Sequence, residues 1–196
     1  MSVSVVLGNA PAYAGGASFA LFLVLLAWAS AIDLRERRIP NKLVAAMAAL
    51  WLGARVVLVA VVAACFAAGA FGSGAQMGDA PSAASVATME IFPFGLTLGD
   101  GLVGALVLGG GSLAISIAFE RLAQRLSMGG GDIKLLAVVG LFLGWERGLW
   151  CLFVACLVVL VMQVVSHFRE GGKRIGFQTF PFAPAILVGV VIASIL

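Results

Sequence analysis

The sequence predicts an all-α polytopic membrane protein, a bundle of about six transmembrane helices forming a single domain over residues 1–196. Two observations predict it. Composition is the first: 62% of the residues are hydrophobic and 11% charged, with a mean hydropathy of +1.14, outside the range of a soluble domain. The second is length, because several apolar runs reach the roughly 18 residues needed to cross about 30 Å of hydrocarbon. Helices are the simplest spanning form, since a segment in lipid must satisfy its own backbone polar groups.

Taken in order, the apolar segments are 17–32, 43–71, 96–118, 133–145, 148–166 and 179–196. The first follows a start without basic charge, which lacks the head of a cleavable secretory signal, so the segment is expected to be retained. The second carries one charge, Arg55, about 13 residues in and towards the outer face; it is expected to pair with Asp100 or Glu90. In the third, "LTLGDGLVGALVLGGG", glycines and alanines at near-four spacing predict close helix packing, and no phosphate-binding lysine accompanies them. The fourth is short for a span. It reaches ordinary length only by starting in Gly129, Gly130 and Gly131, which puts Asp132 in its first turn.

Charge orients the bundle. Arg35, Arg37, Arg38 and Lys42 lie in one connection, Arg121, Arg125 and Lys134 in the next on that side, and Arg169, Lys173 and Arg174 in the last. Ten of the 12 basic residues thus share a side, which the positive-inside bias makes cytoplasmic and which puts both termini outside. The opposite connection, 72–95, has Asp79 and Glu90 but no Lys or Arg. These basic residues are expected to orient the protein and attract anionic lipid, and nothing in the sequence supports nucleic-acid binding.

Asp33 ends the first segment, and two further crossings return the chain to the same side before Asp132. The two carboxylates are therefore expected at one depth, where the first and fourth helices can meet. Each alone could be structural: Asp33 paired with Arg37 or Arg38, and Asp132 favouring a helix N-terminus with Lys134 snorkelling beside it. Together they have the makings of an aspartic dyad, in which one carboxyl activates water and the other donates to a scissile carbonyl. The three glycines clear side chains from beside Asp132 and offer a notch for an extended peptide.

Other residue types offer less chemistry. Cys65, Cys151 and Cys156 lie in apolar runs without metal-ligand spacing and read as packing residues. His167 is the single histidine and reads as interfacial, which leaves a histidine-based triad unsupported. Trp28, Trp51, Trp145 and Trp150 read as interfacial or packing aromatics.

"DLRERRIPN", Asp33 to Asn41, resembles the Asp-x-x-x-x-x-Ile-Pro-Asn signature of type IV prepilin leader peptidases, and "GGGDIKL", Gly129 to Leu135, resembles their Gly-x-Gly-Asp signature. The resemblance implies a membrane aspartic endopeptidase of the bacterial inner membrane that removes the basic leader of prepilin or pseudopilin substrates at the cytoplasmic face, without metal or organic cofactor. It implies Asp33 and Asp132 as the catalytic pair. Gly129 and Gly131 match the motif glycines, with Gly130 between them and Lys134 beyond. Pro40 and Asn41 are implied to shape the turn after the first aspartate. A late Pro-Phe-Gly-Pro element stands here as "PFAP", Pro181 to Pro184, with Ala183 at the glycine position. The prolines keep an implied helix-opening role, and the alanine weakens any need for bare backbone there.

The chain lacks the cysteine-bearing cytoplasmic insertion of the bifunctional members, so it looks like the short form serving tight-adherence (Flp-type) pili, and no methyltransferase activity is expected. The rival reading is a proton- or cation-coupled carrier using the same aspartates. It is disfavoured because both lie at one face and not at the midplane, where transport sites tend to sit. An inactive assembly scaffold is a third reading, against which the presence of both aspartates argues. Sequence does not specify the oligomeric state or the individual substrate.

Overall fold

A computed structural model of the chain describes residues 3–36, 39–67, 97–123, 129–169 and 182–195. All regular structure among them is helical: α1 (Val3–Glu36), α2 (Asn41–Ala67), α3 (Leu98–Ala105), a π-helical turn (Leu106–Gly110), α4 (Gly111–Ala123), α5 (Gly130–Arg169) and α6 (Ala183–Ala193). The connection 72–95 and Pro181 lie outside the described residues, as do Arg37, Arg38, Arg125, Lys173, Arg174 and Glu90.

By length and composition, three helical stretches among the described residues are long and apolar enough to cross a membrane: Gly15–Glu36, Leu98–Leu122 and Gly130–Ser166. Ala183–Ala193 is apolar but shorter. α1 also begins well before the apolar run at 17, because hydropathy marks the lipid-immersed part of a helix and not its full hydrogen-bonded length. α2 starts where the Pro40 carbonyl accepts from the N–H groups of Leu43 and Val44, at 3.0 and 3.4 Å. A proline suits that position, since the groups preceding a helix need not donate into it.

The fourth and fifth apolar segments remain two, with a shifted boundary. They are joined in α5, and the break expected near 146–147 falls at Gly144. Its φ of 74° and ψ of −174° lie in a region essentially restricted to glycine. Gly109 faces Ala137, and Gly104 lies between Gly140 and Gly144, so residues 130–143 run antiparallel to α3 and the π turn. Beyond the break the register reverses, because Gly148 packs against Leu108, not against residues preceding Gly104. α5 is thus two arms, 130–143 and 145–169, folded back at one glycine.

Glycines make these contacts possible. A Cβ on Gly101 would lie 2.9 Å from the Leu141 carbonyl oxygen, and one on Gly104 would lie 2.6 Å from the Gly144 carbonyl carbon. The small-residue pattern of the third segment therefore serves close helix approach. Phe22, Leu26, Met47, Leu108, Leu135, Leu136, Leu143 and Ile186 fill the buried centre. Leu102, Leu106, Ile115, Phe153 and Val161 are exposed, as a lipid-facing wall requires.

Candidate active site

Asp33 follows from the helical period of α1. Phe22, Leu26, Ala29, Ser30 and Asp33 recur at three- and four-residue spacing and are all buried, so the aspartate ends the helix's core-facing stripe. Only 5% of it is exposed. Its Oδ2 accepts a 3.1 Å hydrogen bond from the backbone N–H of Ala183, the first residue of α6.

Asp132 stands in the first turn of α5. Its N–H donates to the Gly129 carbonyl at 3.0 Å, and that of Ile133 donates to the same oxygen at 3.3 Å, which starts the helix at the glycine run. The three glycines then part company. A Cβ on Gly129 would stand 3.1 Å from the Asp132 carboxylate, Gly130 faces open space, and Gly131 lies against Ile39, 3.3 Å from its Cβ. The expected notch is therefore filled by the protein at Gly131, crowded by Asp132 itself at Gly129, and open at Gly130.

The helical rise from one ring contact puts the aspartates at a similar level. Phe22 of α1 and Phe142 of α5 stack at 4.1 Å between centroids, and Ile39, just past α1, lies against Gly131 at the start of α5, so the two helices run in opposite directions. Asp33 lies 11 residues beyond Phe22 and Asp132 lies 10 residues before Phe142, so at 1.5 Å per residue both sit roughly 15 to 17 Å from the ring contact, on the same side. The Asp33 charge also acts directly on Asp132.

The surrounding motifs touch as well. Besides the Ile39–Gly131 contact, Lys134 Nζ donates to Asn41 Oδ1 at 3.1 Å, tying the turn after Asp33 to the first turns of α5. Both partners of that bond are exposed. Pro184 is the second residue of α6, half-buried, and Phe182 precedes the helix. Among the described residues no group of three or more His, Cys, Asp or Glu gathers at metal-binding distance.

Sequence reasoning missed the Ala183 N–H. A signal was present, because a proline one position later marks a helix start, and the first N–H groups of a helix have no partner within it. Ser30, buried one turn before Asp33, was missed too.

Arg55 belongs elsewhere. It is buried, lies 5.2 Å over the Trp51 ring, and feels the charge of Asp100. Asp100 itself closes a capping box with Thr97 at the start of α3: the Asp100 N–H donates to Thr97 Oγ1 at 3.2 Å and the Thr97 N–H returns to Asp100 Oδ2 at 3.1 Å. Trp51 packs on Gly101, which faces Leu141, so this cluster lies at the end of the 130–143 arm remote from Asp132. Of the cysteines, Cys151 is buried and Cys156 exposed, so only the first of these two packs inside the protein. The His167 and Cys65 side chains are outside the described set.

No curated protein and no solved structure matches the chain. Residues 80–164 match the Type IV leader peptidase family, a segment just under half of the chain that takes in Gly129 to Lys134 and leaves out Asp33. That match on the Gly-x-Gly-Asp segment makes this helical membrane protein similar to the type IV leader peptidase family over residues 80–164.

Proposed function

We propose that the chain is an aspartic endopeptidase that removes the basic leader of Flp-type prepilins at the cytoplasmic face of the inner membrane, with Asp33 and Asp132 as its dyad. One observation supports this above others: two carboxylates 99 positions apart converge at one level of antiparallel helices, where the charge of one acts on the other. A purely structural use of both is less economical, since like charges brought together oppose folding.

In this reading the substrate's apolar helix lies beside the bundle, and its leader crosses the open side at Gly130 as an extended strand. One carboxylate takes a proton from water as the water oxygen attacks the scissile carbonyl carbon. The other carboxyl, protonated, donates to the carbonyl oxygen. When the C–N bond breaks, the departing amine takes the transferred proton and the carboxyls exchange roles. A small residue before the cut fits a site walled by helices, and Lys134 with Asn41 sits at the rim.

Co-expression with a candidate prepilin tests it, leader loss being read by gel shift. Asp33→Asn and Asp132→Asn should each cut processing by about 10²- to 10⁴-fold while leaving membrane expression unchanged. Normal processing by either folded variant would sink the dyad. Failure of the wild type on several prepilins, together with ion uptake that depends on both aspartates, would favour the carrier.

A further inference from the structure

We propose that the backbone N–H of Ala183 is a positioning group for the reaction: it holds Oδ2 of Asp33 and so leaves Oδ1 as the oxygen that meets water or substrate. The proposal rests on the peptidase reading above and goes beyond it, because it gives the C-terminal helix a part in the site.

Local chemistry makes this N–H available. The first N–H groups of a helix have no intrahelical acceptor. In α6, Pro184 has no N–H, and the Ile186 N–H is spent on the Phe182 carbonyl at 3.1 Å. Ala183 is fully buried, so its N–H cannot turn to water, and a buried N–H without a partner is costly. Asp33 Oδ2 is the partner it has, at 3.1 Å, across 150 positions of sequence. A carboxylate held by one oxygen cannot spin about its terminal bond without breaking that contact. The alanine that replaces the resembled motif's glycine is no obstacle, because the contact uses only main chain.

α6 is itself fixed. The Cys151 thiol donates to the Ile186 carbonyl at 3.7 Å, and Gly189 lies so close to Cys151 that a Cβ there would stand 2.5 Å from its carbonyl oxygen. Cys151 is on the 145–169 arm and Asp132 on the 130–143 arm, so the reversal at Gly144 relates the holder of Asp33 to the other aspartate. A helix with no catalytic side chain thereby sets the aim of one that has.

The test replaces one atom in the full-length protein. Nonsense suppression with lactic acid exchanges the Ala183 amide for an ester, which removes the N–H and keeps the side chain. The matching α-hydroxy acid at Val188, mid-helix and exposed, removes an intrahelical bond instead. The Ala183 ester should lower kcat for prepilin cleavage on the order of 10- to 100-fold with KM unmoved, as misplacement of a reacting group does. The Val188 ester should leave kcat at the wild-type value. Equal effects of the two esters, or an unchanged kcat at Ala183, overturn the proposal. A thermal-melt cycle pairing the Ala183 ester with Asp33→Ala reads the contact without activity: non-additive melting shifts support it, and additive shifts overturn it. If wild type cleaves no prepilin while the cycle remains non-additive, the peptidase reading fails, the positioning role falls with it, and the contact stands.

Discussion

Asp33 combines a side chain that prefers water with a position on the core-facing stripe of α1, and the conflict is resolved by a main-chain donor brought from the far end of the chain. Lys134 and Asn41 show the opposite balance, an exposed bond whose partners could both turn to solvent. Such a bond contributes about 0.5–1.5 kcal/mol. Lys134→Ala and Asn41→Ala should each lower stability by about that amount, and the double variant by no more than one of them, as read by melting in detergent. Arg55 is a harsher case. Arg55→Met leaves Asp100 without the guanidinium whose charge it feels, so melting should fall, whereas Asp100→Asn should weaken the α3 cap by about 1 kcal/mol. Intact folding in both variants would remove the case for pairing.

At the scale of elements, glycines divide by what they face. Gly144 adopts a backbone conformation closed to other residues, so Gly144→Ala should cost about 1–3 kcal/mol and disturb both arms of α5. Gly104→Ala should cost about 1–3 kcal/mol by overpacking, because its Cβ would meet the backbone of Gly140 and Gly144. Gly53, in α2 with nothing within 4 Å of its would-be Cβ, is the contrast: Gly53→Ala should stabilise the protein by about 0.5–1 kcal/mol. The melting temperatures of the three variants check this ordering. Apolar periodicity made the helices legible, and the charged pair Glu146–Arg147 between two apolar runs marked the reversal in α5 to within a few residues. It did not mark the residue at which the chain turns, because that depends on the torsion of a single glycine, Gly144.

For the whole molecule, the basic residues predict that the ends of α1 and α4, together with the start of α5, face the cytoplasm. Cysteine introduced at Lys42 should be labelled by a membrane-impermeant thiol reagent only after the inner face is opened, and cysteine at Gly99 from outside; the reverse pattern would invert the bundle. Lys42 is exposed at the start of α2 and Gly99 is exposed at the start of α3, so neither depends on unfolding.

The sequence by itself determined the class of protein, because its apolar composition leaves helices in a membrane as the simplest way to satisfy the backbone. It also supplied both aspartates and the motifs around them, since those lie within a few adjacent residues. Tertiary structure alone decided that Gly131 is filled by Ile39, that α5 folds back at Gly144, and that α6 aims an N–H at Asp33. Each of these depends on contacts across long stretches of chain or on one backbone torsion. Local pattern carries no record of either, because the same residues would satisfy the same periodicity in many other packings.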